Sequence, residues 1–198
     1  MKAKMNSLEM RRQILHIFLG IIFVILLHHG FINKWIILLC ITIGFIVSYV
    51  SKRTYIPLIH ELLRVFERDE YIKKFPGKGT IFYFAGVFFV LLFFSNDIAI
   101  PSIMILAFGD SFSHIFGVHL GKIKHPLSNT KFVEGTIAGF IAGFLGAVLF
   151  IPWNQAMAAS MAAMFVEAIE VKVGAKQIDD NLIMPFVAGA VIFLVRGL

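Results

Sequence analysis

Long apolar runs separated by short polar stretches pattern this chain from end to end. The runs cover about 13–29, 32–50, 80–95, 98–119, 133–151, 155–172 and 181–196. They show little of the polar alternation that marks a surface helix or a half-buried strand, so each reads as a helix in wholly apolar surroundings. Most approach the ~20 residues that cross a bilayer, and a spanning helix satisfies its backbone hydrogen bonds internally. The pattern predicts an all-α integral membrane protein, a polytopic bundle of about seven transmembrane helices. A six-span variant, with one short run re-entrant, fits the same spacing. Composition agrees, with 59% of the 198 residues hydrophobic and a mean hydropathy of +0.86, against roughly 45–50% apolar residues in soluble domains.

Residues 51–79 depart from this pattern. Ile59, Leu62, Leu63 and Phe66 fall on one helical face, while Glu61, Arg64, Glu67 and Arg68 fall elsewhere, and Pro57 suits a helix start. This predicts a cytoplasmic amphipathic helix, lying in the interface where it holds anionic lipid or covers a site, or packed on the bundle as a connector.

Charge sets the orientation. The N-terminus and residues 51–79, 122–131 and 172–180 carry 16 of the 18 Lys and Arg residues. In a seven-span topology those four regions share one side, so the N-terminus is expected in the cytoplasm and the C-terminus outside. The basic N-terminus followed by Ile14–Leu27 has the outline of a signal peptide, but His28-His29-Gly30 follows without a small-residue cleavage pattern. It is read as a retained first span. The lone Cys40 excludes a disulfide framework and a cysteine metal site.

Against this background Asp110 stands out, because it lies within the fourth run. A charge near the bilayer centre costs about 2.5–3.5 kcal/mol even on the lenient insertion scale, so it is expected to face a protein interior or a wet cavity. Ser111, Ser113 and His114 follow it, then a basic loop with Lys122, Lys124, His125 and Lys131, and then Glu134 at the start of the fifth run. Glu167 and Glu170 share a face of the sixth run, and Asp179, Asp180 and Asn181 precede the seventh. Arg12 and His16 share a face where the first run begins. Carboxylates with lysines at one membrane face suit a polyanionic, metal-bound substrate, in which oxygen ligands hold Mg²⁺ and lysines neutralise phosphate. Simpler roles compete: Asp179–Asn181 as a helix cap, the glutamates as ion-pair partners, and the stripe Gly135, Gly139, Gly143 and Gly146 as a helix-packing face.

The stretch Gly109-Asp110-Ser-Phe-Ser113-His-Ile-Phe-Gly117-Val-His-Leu-Gly121, then eight residues, then Thr130-Lys131-Phe132-Val133-Glu134-Gly135 resembles the CTP-binding signature of the dolichol kinases and their phytol kinase relatives. That signature reads Asp-x-x-Ala-x-x-x-Gly-x-x-x-Gly-x8-Lys-Lys-Thr-x-Glu-Gly. Asp110, Gly117, Gly121, Lys131, Glu134 and Gly135 match in register, while Ser113, Thr130 and Phe132 replace Ala, Lys and Thr. Arg11-Arg12-Gln-Ile-Leu-His16, Gly77 and Gly79, and Asp179-Asp180-Asn181-Leu-Ile-Met-Pro185 extend the likeness over nearly the whole chain.

The resemblance implies one transmembrane kinase domain over 1–198, with 51–79 interfacial and 120–132 a cytoplasmic nucleotide-binding loop. It implies CTP-dependent phosphorylation of a membrane isoprenoid alcohol, such as a polyprenol, dolichol, phytol or geranylgeraniol, with release of CDP. Catalytic roles then fall to Asp110, Glu134, Lys131 and His16, with Asp110 and Glu134 holding Mg²⁺. Nucleotide binding falls to Gly109, Asp110, Ser113, Gly117, Gly121, Lys122, Lys124, Lys131, Glu134, Gly135, Asp180 and Asn181. The implied partners are CTP, a lipid alcohol and the bilayer of the cell membrane, with a homo-oligomer left open and no nucleic acid. A phosphatidate cytidylyltransferase would join the same reactants but transfer CMP, and a transporter of a phosphorylated metabolite would use the same charges. The charges crowd one face without inverted repeats, which disfavours the transporter.

Overall fold

Each of the seven apolar runs is helical in the computed structural model, which describes residues 7–169, 172–173 and 176–197. The helices are α1 (Ser7–His28), α2 (Lys34–Ser51), α3 (Pro57–Phe66), α4 (Asp69–Lys74), α5 (Lys78–Phe93), α6 (Asn96–Met104), α7 (Ser111–Leu120), α8 (Val133–Ala147), α9 (Trp153–Ile169) and α10 (Asp180–Arg196). A π-helical turn, Ile105–Asp110, joins α6 to α7 without a break. Two two-residue strands, β1 (Lys172–Val173) and β2 (Lys176–Gln177), pair antiparallel between α9 and α10. The chain is an all-α membrane protein. Three helices, Ser7–His28, Lys34–Ser51 and the continuous Asn96–Leu120, are both long and apolar enough to cross a bilayer, and Lys78–Phe93 and Val133–Ala147 are shorter apolar helices. The sixth run is described as helix through Ile169, and Lys172, its expected end, lies in β1. Glu170 lies outside the described residues.

The expected amphipathic helix forms as two pieces. Pro57 opens α3, where its missing N–H costs nothing. The chain then turns extended at Glu67 and Arg68 before α4 begins.

Asn96–Leu120 is the axis of the bundle. Within its most apolar window 72% of residues are buried, against 33% in α1 and 22% in α2. The periphery is lipid-like, and α2 leaves Trp35, Leu39, Ile43 and Ile46 exposed. Pro101 lies inside α6 and cannot donate to the Asp97 carbonyl. Arg196, at the end of α10, uses that freed carbonyl as an acceptor (3.3 Å) and also pairs with the Asp97 carboxylate and with Gln155 (3.0 Å). One end of the bundle is fastened by this knot.

The glycine stripe of α8 lies on the π turn and α7. A β-carbon on Gly135 would fall 2.5 Å from the Ser113 carbonyl oxygen and 3.0 Å from the Gly117 α-carbon. One on Gly139 would fall 2.6 Å from the Gly109 carbonyl oxygen. Backbone meets backbone at both positions, as small residues allow in lipid.

Gly139→Val is therefore expected to lower stability by about 1–3 kcal/mol through overpacking, read as a lower midpoint of thermal unfolding in detergent. Gly146→Ala, whose added carbon would rest 3.4 Å from Met104 Cβ, should leave the midpoint unchanged.

Candidate active site

Polar side chains converge at the end of the bundle opposite the Arg196 knot. The π turn delivers Asp110 there, followed directly by α7. Its Oδ2 stands 3.6 Å from Nδ1 of His16 on α1. Tyr83, fully buried on α5, donates to the His16 carbonyl (3.1 Å), and Ser111 donates to the Gln13 carbonyl (3.3 Å). Together these bonds fix α1 against the π turn and α5.

Behind Asp110 lies a buried ionic group. Lys131 reaches in from the 121–132 loop and donates to Glu167 Oε1 (2.7 Å), the Glu167 carbonyl (2.6 Å) and Asp180 Oδ2 (3.0 Å). Ser113 also donates to Glu167 Oε1 (3.4 Å). Burial works against the Lys131 ammonium, yet the carboxylates of Glu167 and Asp180 outweigh it and hold the amine above the usual lysine range. Asp110, Glu167 and Asp180 each place a carboxylate oxygen within 4.8 Å of the others. Glu167 Oε2 is buried without a hydrogen-bond partner. Three converging carboxylates, one of which keeps an unsatisfied oxygen, fit Mg²⁺ or a similar cation.

Glu134 lies outside that trio. From the first turn of α8 its carboxylate accepts from the amides of Lys122 (3.0 Å) and Ile123 (3.1 Å). The loop it holds is a hairpin, in which the Val133 amide donates to the Ile123 carbonyl (3.0 Å) and the His125 amide to the Lys131 carbonyl (3.0 Å). Lys124 donates to the Asn129 carbonyl (3.1 Å) and lies over the Phe132 ring. Lys122 is exposed on the same hairpin. Gly109, Gly117 and Gly135 sit in the packing seam between the π turn, α7 and α8, and a β-carbon on Gly121 would meet Phe132 and the Gly117 carbonyl. These glycines serve helix contact here. Asp179 caps α10, accepting from the Asn181 amide (3.3 Å) and side chain (2.8 Å), while Asn181 Oδ1 is buried without a partner.

In front of Asp110 opens a cavity of about 340 Å³, whose charged walls include Glu9, Arg12, Arg68, Lys78, Asp110 and Asp180. Glu9 is its hub. It receives Arg12 (2.8 Å), Arg68 (3.1 Å), His114 Nε2 (3.3 Å) and Gln13 (3.3 Å). Sequence reasoning missed Glu9, Arg68 and Lys78 as site residues and placed Lys122 and Lys124 there; both of those lie outside this cavity's lining. The readable signal was that Arg68 and Lys78 belong to the same basic side as Arg12.

No family model matches the chain, and no solved structure does. The chain is 31% identical over 192 residues to an uncharacterised protein of Methanocaldococcus jannaschii, covering 93% of this chain and 92% of that one. It is 25% identical over 210 residues to a CTP-dependent diacylglycerol kinase of Schizosaccharomyces pombe, covering 94% of this chain and 93% of the relative. Over 157 residues it is 29% identical to a "probable phytol kinase, chloroplastic" of Triticum aestivum, covering 71% of this chain but only 50% of that relative's length. The chain belongs to one family with the Methanocaldococcus jannaschii protein, and its further relatives are phytol kinases and CTP-dependent diacylglycerol kinases, consistent with a CTP-dependent lipid kinase family.

Replacing Lys131 by Met would strand Glu167 and Asp180 and is expected to cost roughly 3 kcal/mol. Adding Glu167→Gln should recover part of that loss, because the two sites are coupled. Equal unfolding midpoints for the single and double variants in detergent would contradict the coupling.

Proposed function

We propose that this chain transfers the γ-phosphoryl group of CTP to the hydroxyl of a membrane isoprenoid alcohol, acting as a single transmembrane kinase unit. The observation that carries this reading is the cavity itself, where Arg12, Arg68 and Lys78 face the carboxylates of Asp110 and Asp180 at one end of an apolar bundle. The three cations suit the phosphates of a nucleotide. Asp110, Glu167 and Asp180 would hold Mg²⁺, which supplies neutralisation of the phosphate charge when bound. Lys131, now shared between two of those carboxylates, is placed to turn toward phosphate when a divalent ion takes its position.

In the transfer, the alcohol oxygen bonds to the γ-phosphorus as the bond from that phosphorus to the β,γ-bridging oxygen breaks. CDP leaves with the electron pair, and the hydroxyl proton passes to the Asp110–His16 pair. Positioning and charge neutralisation supply most of such a reaction's acceleration. Glu134 acts at one remove by fixing the hairpin from which Lys131 projects. The concentration of basic residues on one side supports a site at the cytoplasmic face of the cell membrane on this reading.

Diacylglycerol is a second acceptor to weigh, because the fission-yeast diacylglycerol kinase matches over 93% of its own length. Purified protein in mixed micelles, given Mg²⁺ and γ-labelled CTP or ATP, should label polyprenol, dolichol, phytol or geranylgeraniol with CTP as donor. Label on diacylglycerol alone would favour the second acceptor, and label only in pyrophosphate would indicate a cytidylyltransferase.

Asp110→Asn should abolish transfer while keeping the unfolding midpoint; substantial residual activity would remove Asp110 from the chemistry. Glu134→Gln, which keeps an acceptor for the hairpin amides, should retain more activity than Glu134→Ala. Equal losses in the two would mean that Glu134 does more than hold the loop.

A further inference from the structure

Beside the polar cavity lies a hollow of about 350 Å³ with almost wholly apolar walls. It is framed by α1, α2, α3 and the start of α5, with Leu15, Leu19, Val47, Leu62, Phe66 and Phe84 among its lining. Helix α3 closes one side of it with the apolar face noted in the sequence. Between hollow and cavity is a neck of about 10 Å³, room for one water-sized group. The neck shares Arg12, His16 and Gly79 with the polar cavity, and Leu15, Phe66, Glu67 and Thr80 with the apolar hollow.

Glu67 is the residue that does not belong in an apolar wall. It is 5% exposed and accepts from the Arg68 amide at 3.2 Å. Among the described residues no cation lies within ion-pair distance of it. A buried carboxylate is costly until further donors satisfy it. Here it lines both the neck and the hollow, where a polar head would meet a greasy tail.

We propose that this hollow receives the hydrocarbon chain of a single-chain isoprenoid alcohol, and that Glu67 accepts a hydrogen bond from the hydroxyl as it enters the neck toward His16 and Asp110. The proposal rests on the kinase reading above and names the acceptor's site within it. Size argues for one chain: the hollow of about 350 Å³ takes the leading isoprene units of a single tail, and the neck of about 10 Å³ admits one water-sized group, a lone hydroxyl. Continuity argues for the place. The other large apolar hollow, about 430 Å³ between α6, the π turn, α7 and α8, shares no lining residue with the polar cavity.

The test is photolabelling of the full-length protein in micelles with a diazirine-tailed geranylgeraniol analogue, followed by mapping of the labelled peptides. Label is expected on the segments holding Val47, Leu62, Phe66 and Phe84, and unlabelled geranylgeraniol should compete it away. Label centred on Phe108, Phe112 and Ile141, spread evenly over the lipid-facing surface, or competed equally by diacylglycerol would overturn the proposal. Val47→Trp, which fills the hollow, should raise KM for geranylgeraniol roughly tenfold. KM for CTP and for prenol, the one-unit alcohol, should not move. Glu67→Leu should raise KM for both alcohols roughly ten- to hundredfold and leave KM for CTP unchanged, whereas a fall in kcat with every KM intact would overturn Glu67 as the hydroxyl's partner. Specific labelling without phosphoryl transfer from any nucleotide would support the hollow and sink the kinase reading. Transfer without labelling there would do the reverse.

Discussion

Charge buried in an apolar bundle must be matched by charge, and the Lys131 bridge to Glu167 and Asp180 meets that requirement here. Glu167 belongs to α9, Asp180 to the start of α10, and Lys131 to the hairpin before α8. One ammonium therefore ties three parts of the chain that no local sequence pattern would bring together. The same bridge gives the carboxylates beside Asp110 a cationic partner in a place where solvent alone would not support them. Its strength is also its liability, since any stronger cation entering the group must displace the lysine.

The axis helix sets where that group can form. The π turn carries one more residue than an α-helical path, which advances every later side chain by about 100° around the helix. Asp110 closes this turn, and Ser113 lies one helical turn beyond it. Both then face polar partners, Asp110 toward His16 and Ser113 toward Glu167. The α8 glycines let that irregular backbone be covered closely, so a widened helix remains buried in protein and away from lipid.

Much of this was legible in the chain. Apolar runs announced where the main helices lie, because a lipid environment leaves little freedom in how a backbone satisfies itself. The cost of a carboxylate in a span singled out Asp110, and the Asp180 neighbourhood was visible as acid at a helix start. The Glu9–Arg68 pairing was not visible. Fifty-nine positions separate the two residues, and each alone reads as ordinary interfacial charge. Nor could spacing show that Glu134 accepts from the hairpin amides while Glu167 lies beside Asp110 and Asp180. The break at Glu67 escaped notice because its side chain satisfied the helical period as well as its neighbours did.

Among the described residues the polar cavity opens at one end of the bundle, while the far end carries the Arg196–Asp97 pair. A neutral alcohol can wander between leaflets, whereas a phosphate ester carries charge that the bilayer core repels. A catalyst with a single mouth would thus convert an unsided solute into a sided one. Chemistry would do the work of a pump, accumulating product in one leaflet without any part of the protein having to alternate between two faces.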